Sequence, residues 1–162
     1  MLAFLIVLLV IVAIIALSSI KVVNQSEVYI IERLGKYFCT WREGVHFKLP
    51  LVDRVAARYV DSALKLEMKP FDVKTSDEKV LTLKTTVILK VVDYYKYTYT
   101  QASQQFENLI HDELNYICKG YPSYKIEESL KEIEDKVFKI TEGSPVMKNI
   151  GLNCLELSIK MN

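Results

Sequence analysis

Leu2 to Leu17 is an unbroken run of apolar residues, and Met1 to Ile20 holds no Asp, Glu, Lys, Arg or His. A helix packed on the surface of a globular domain needs a polar face, and this segment offers none. About 19 residues at about 1.5 Å each reach about 28 Å, close to the hydrocarbon thickness of a bilayer. Residues 1–20 are therefore expected to form a transmembrane anchor, with a separate domain over residues 21–162. The rival reading is a signal peptide cleaved near Ala16-Leu17-Ser18, which would release a secreted binding domain. No Lys or Arg precedes the run, and the run is long for that class.

Every charged residue follows Ile20, and 21 basic residues nearly cancel 20 acidic ones. A nucleic-acid-binding domain would carry a clear cationic excess, so no nucleic-acid partner is expected. The cations gather close to the apolar run: Lys21, Arg33, Lys36, Arg42, Lys48, Arg54 and Arg58 face only Glu27, Glu32, Glu43 and Asp53. Positive charge on that flank alone favours a cytoplasmic domain behind a single-pass anchor. Cys39, Cys118 and Cys154 are odd in number and far apart, which fits neither a disulfide framework nor a zinc site.

Period-two alternation predicts strands over Glu27–Leu34, Val45–Leu49, Val52–Val60 and Leu64–Met68. The strongest is Lys79–Val92, with Leu81, Leu83, Thr85, Val87, Leu89 and Val91 on the packed face. The spacing then becomes helical. Ala102, Phe106, Leu109, Ile110, Leu114 and Ile117 form one stripe, with Ser103 as candidate cap. Ile126, Leu130, Ile133, Val137 and Ile140 form another. A closing strand, Leu152–Lys160, sets Leu155, Leu157 and Ile159 on one side. Strands first, helices next and one returning strand make an α+β domain.

The sequence carries no recognisable catalytic motif. His46 lies between Val45 and Phe47, and His111 beside Asp112 and Glu113, neither with a recognisable nucleophile or metal partner. The acids of Glu127, Glu128, Glu132, Glu134 and Asp135 are interleaved with lysines, as on a solvated helix face. Four tyrosines in Asp93–Gln101 read as aromatic packing where sheet hands over to helix. No catalytic residue, cofactor or metal is expected, and the chain does not read as an enzyme.

The stretch from Glu32 to Val55 carries a more specific signal: Glu32-Arg33-Leu34-Gly35-Lys36-Tyr37, then Gly44-Val45-His46-Phe47-Lys48-Leu49-Pro50-Leu51-Val52-Asp53-Arg54-Val55. This resembles the opening of the SPFH or band-seven superfamily of stomatin, prohibitin, flotillin and HflK-HflC proteins, nearest to stomatin-like and paraslipin-like members. The likeness runs on through the long strand, both helices and the closing strand. It implies an amino-terminal transmembrane helix followed by an SPFH-type domain, with a curved, mainly antiparallel sheet and two to three packed helices. Leu130 stands where an arginine is usual in the family, and Glu107 where a basic residue is usual. The family's long alanine-rich carboxyl-terminal helix, which drives ring assembly, is not within residues 1–162.

The resemblance implies a membrane-anchored scaffold that organises a membrane microdomain and holds or regulates partner membrane proteins through self-association. Expected partners are membrane lipids and a homo-oligomer, or a hetero-oligomer with a longer SPFH protein. A membrane protease is a further expected partner, which would make the chain a regulatory subunit. The first part of the domain would lie against the bilayer. Tyr37, Phe38, Trp41, Phe47, Leu49, Leu51 and Val52 would supply aromatic and apolar contacts, and Lys36, Arg42, Lys48 and Arg54 would meet headgroups. The alternative, of equal weight, is that Trp41, Phe38 and Phe47 fill the core beneath the sheet.

Overall fold

Helix α1, Leu2–Ser18, is apolar on every side, so nothing in its own sequence selects a face to bury. The computed structural model describes residues 1–161, and of residues 2, 12 and 15 the backbone alone. The remaining α1 side chains are exposed. The helix has 17 residues, which gives about 25 Å against about 30 Å of hydrocarbon. Among the described residues no helix is long and apolar enough to cross a membrane. The helix is shorter than the expected 1–20 span because β-branched Ile20, Val22 and Val23 enter a strand, β1, Ile20–Val23.

The chain divides into two compact units, Met1–Asp61 and Ser62–Asn162. In the first, β1 pairs antiparallel with β4, Gly44–Phe47, as a two-stranded ribbon. Beside it, β2 (Glu27–Arg33) is the middle strand between β3 (Lys36–Trp41) and β5 (Asp53–Val60). β2 is buried from Val28 to Glu32, on both faces. Val23, Tyr29, Ile31 and Trp41 form one cluster, with Cys39 and Val55 packed against it. β3 is not predicted from the sequence, because aromatics and cations there replace an alternating pattern.

In the second unit, β8, Val80–Val91, is the central strand. β6 (Leu64–Glu67) and β7 (Phe71–Lys74) pair with its two halves, and β9 (Leu152–Met161) with nearly its whole length. All strand pairings among the described residues are antiparallel. The expected alternation of β8 is observed: Leu83, Thr85, Val87, Leu89 and Val91 are buried. In β9 it fails. Ile88 pairs with Glu156 but Leu89 with Cys154, so Leu155 is the extra residue of a bulge. The inward set switches phase across it. Leu152 and Cys154 are buried on one side, Leu157 and Ile159 on the other, and Leu155 is exposed.

Five helical segments follow β8 rather than two or three. The tyrosine-rich stretch is itself a helix, α2 (Tyr94–Tyr99), capped by the Asp93 carboxylate, which accepts the Lys96 N–H at 3.1 Å. Helix α3, Ala102–Cys118, buries the expected stripe, but its N-cap is Gln101 in the left-handed region, not Ser103. The second expected helix is broken into α4 (Ser123–Ile126) and α5 (Leu130–Gly143), and α6 (Pro145–Ile150) follows. After the break α5 buries Ile133, Val137 and Thr141, and Ile140 turns outward. Gly151 ends α6 at φ +71°, and its carbonyl accepts the N–H groups of Val92 and Asp93 at 2.9 and 3.1 Å. A Cβ at this position would collide with the Asp93 carbonyl.

Candidate membrane-facing end of the first unit

Two loops carry the features that folding within this unit does not explain. The β2–β3 turn has Leu34 at φ +52° and Gly35 at φ +80°. That is the signature of a two-residue hairpin turn usually served by Asn-Gly. The β4–β5 connection has Leu51 at φ +69°. A left-handed backbone is strained for leucine, and Leu34 and Leu51 are 81% and 105% exposed. Strain and apolar exposure coincide at these two residues, which makes them candidates for a contact outside the unit.

The loops lie together. The Leu34 N–H donates to the Val52 carbonyl at 3.1 Å. Asp53 is the hub beneath them. Its side chain is fully buried, and it accepts from Arg33 Nε at 2.7 Å and Nη2 at 3.1 Å, and from the Leu49 N–H at 2.8 Å. Arg33 beside Asp53 holds the carboxyl below the usual carboxylate range, and the same bond raises the arginine. The Arg33 guanidinium also lies over the Phe38 ring, 3.7 Å from its centroid. One ion pair thus fixes β2, β3 and the apolar loop.

The end of α1 arrives at the same place. The Lys48 N–H donates to the Ser19 carbonyl at 2.7 Å. Beyond it the ribbon register sets Ile20 opposite Phe47 and Val22 opposite Val45. These four side chains share one face, all exposed, while Val23 on the other face is buried. Glu32 accepts from Arg54 Nη2 at 2.6 Å, and Lys36 closes the hairpin, so cations flank the apolar tip.

The expected contact residues are divided by this geometry. Tyr37, Phe38, Phe47, Lys48, Leu49, Leu51 and Val52 belong to the strand ends and loops just described. Trp41 does not: it pairs with Tyr29 in the core, is 7% exposed, and stacks on His46 at 4.9 Å between centroids. Arg42 lies with it at the opposite end of β2, about 20 Å away at 3.3 Å per residue, bonded to Asp61 at 3.3 Å. Hairpin pairing causes this, since β3 carries its later residues back toward the start of β2. Leu34, Ile20, Val22 and Val45 also lie exposed on these elements and are not among the expected residues. The period-two spacing of Ile20 with Val22 and of Val45 with Phe47 was the available signal, but only pairing joins the two halves.

His46 Nε2 lies 2.7 Å from the Arg42 carbonyl oxygen, and His111 Nδ1 lies 3.2 Å from the Asn115 amide nitrogen. Among the described residues no group of three or more His, Cys, Asp or Glu side chains is placed to hold a metal. The arrangement is one of surface chemistry: an apolar point, a cationic flank and a rigid support.

Residues 21–160 match the family described as SPFH domain / Band 7 family. A stomatin-like protein of Caenorhabditis elegans is 29% identical over 89 residues, covering 55% of this chain and 28% of that protein. An uncharacterized protein of Mycobacterium tuberculosis is 31% identical over 116 residues, 72% of this chain and 27% of its own length. One from Schizosaccharomyces pombe is 24% identical over 150 residues, 88% of this chain and 40% of its own. The chain therefore spans well under half the length of these relatives.

Proposed function

The chain belongs to the SPFH domain / Band 7 family, and on that premise we propose that it is a membrane-associated scaffold seated on the bilayer by the apolar end of its first unit. Members of the family are in general membrane-associated scaffolds. The observation that carries the reading for this chain is the convergence of α1, the ribbon face and the two left-handed leucines on one end of the unit.

α1 is the inserted element. Its shortfall of about 5 Å against the hydrocarbon core is met by local thinning, at a fraction of a kcal/mol per Å. Leu34, Leu49 and Leu51 enter the interfacial layer, with Phe38 and Phe47 at its depth. Lys36, Lys48 and Arg54 meet anionic headgroups, each worth about 1 kcal/mol at such a surface. The Arg33–Asp53 pair keeps the tip in its inserting shape before contact, so little ordering is left for the binding step. The domain faces the cytoplasm and associates with further copies to organise a membrane patch, many weak contacts adding by multivalency.

The test is tryptophan depth. Trp41→Phe removes the native indole, and Leu51→Trp or Glu43→Trp places one at either end of the unit. In vesicles of brominated phosphatidylcholine, position 51 is quenched and position 43 is not. Equal quenching, or none at 51, rejects this seating.

A further inference from the structure

The second unit holds a groove that plays no part in the membrane reading. Its volume is about 750 Å³, and it runs between the end of α3 with its following turn and the outer face of α5. Tyr116 and Ile140 give it an apolar wall, 76% and 41% exposed, and Gly120 leaves the backbone open to close approach. Lys119, Lys136 and Lys139 stand around it, and no acidic side chain lines it among the described residues.

The charge is incompletely answered from within. Lys136 donates to Glu132 Oε1 and to the Tyr121 hydroxyl, both at 2.7 Å, and Glu132 and Tyr121 push it up to about 12. Lys119 and Lys139 have no side-chain hydrogen bond or ion pair among the described residues. Two uncommitted ammonium groups over exposed aromatic and aliphatic surface call for carboxylates next to an apolar anchor.

We infer that this groove docks a short acidic segment of a partner protein, an aromatic or leucine side chain entering between Tyr116 and Ile140 and flanking carboxylates meeting Lys119 and Lys139. An anionic small molecule would leave the apolar wall unused, and a purely apolar peptide would leave the lysines unused. The inference stands apart from the membrane seating, since none of these residues takes part in it.

The experiment uses the full chain in nanodiscs of phosphatidylcholine, with a fluorescein-labelled peptide alternating glutamate and leucine around a central phenylalanine. A matched peptide with lysine for glutamate is the control. The expected result is saturable binding of the acidic peptide that weakens with salt. The Lys119→Glu/Lys139→Glu pair lowers affinity about tenfold, as two exposed charge contacts allow. Ile140→Ser lowers it independently, and the lysine peptide does not bind. All three positions are exposed, and circular dichroism confirms the fold of each variant. Equal binding of both peptides, or binding indifferent to the lysine substitutions, overturns the proposal. So does a doubling of mass that Ile140→Ser abolishes, which would assign the groove to a second copy of the chain.

Discussion

Replacing Leu34 and Leu51 by asparagine should raise stability and lower membrane affinity together. Both leucines have a left-handed backbone, at φ +52° and +69°, and neither is buried. Asparagine tolerates that region far better, and at position 34 it creates the Asn-Gly pair that such a turn prefers. Relief of about half a kcal/mol per site gives about 1 kcal/mol for the pair. That is a rise in Tm of about 3 °C for a chain of this size. On a bilayer the sign reverses. Fully burying a leucine is worth about 1.5–3 kcal/mol, and interfacial depth realises about 1 kcal/mol of it. The double variant then loses about 2 kcal/mol, about thirtyfold in partition coefficient. The chain beginning at Ser19 serves for the assay, since the described side chains of α1 are exposed and its removal takes none from a core. Calorimetry gives Tm, and flotation with vesicles containing phosphatidylserine gives the partition coefficient. A lower Tm with unchanged partitioning would refute the reasoning, because it would make the two leucines packing residues.

Gly151→Ala should cost more than about 3 kcal/mol, for strain at φ +71° plus the collision with the Asp93 carbonyl. Gly35→Ala, at φ +80° with open space around it, should cost only about 1 kcal/mol, and urea unfolding separates the two. Thr85 and Thr141 bury hydroxyls that have no partner among the described residues. Thr141→Val should stabilise by about 1 kcal/mol, read as a shift in unfolding midpoint. Asp53→Asn should destabilise the first unit by about 2 kcal/mol through the loss of charged hydrogen bonds. Because Arg33 lowers the folded carboxyl's pKa, its contribution is complete above the ordinary unfolded value near pH 4. It fades as pH falls from there through the lowered folded value. An unfolding series across that acid range should show Asp53→Asn with a flatter acid limb.

Local pattern was enough wherever a period repeats undisturbed. β8 buries Leu83, Thr85, Val87, Leu89 and Val91 as its alternation requires, and α3 buries Phe106, Ile110, Leu114 and Ile117 as its stripe requires. Pattern failed where one residue changes phase. Leu155 sits in a bulge that only the partner strand defines, and Ile140 is exposed because α5 restarts after a break and buries Thr141 instead. The left-handed backbone of Leu34 and Leu51 was illegible for another reason, although Leu51 itself is an expected contact residue. Leucine carries no turn signal, and its left-handed backbone is imposed by strands that meet from either side.

The apolar segment, the uncharged start, the α+β order and the glycine-marked run from Glu32 to Val55 were determined by sequence alone, because each is a property of neighbouring residues. Which side chains share an end of the first unit was decided by tertiary structure. Trp41 and Leu34 stand seven positions apart on one hairpin, yet antiparallel pairing sends the first into the core opposite Tyr29 and leaves the second at the exposed turn. The candidate site exists because Asp53 reaches Arg33 and Leu49 while the Val52 carbonyl takes the Leu34 N–H. The Arg33–Asp53 and Leu34–Val52 contacts join residues far apart in the chain, and the closure of loops that unites them is a property of the folded state.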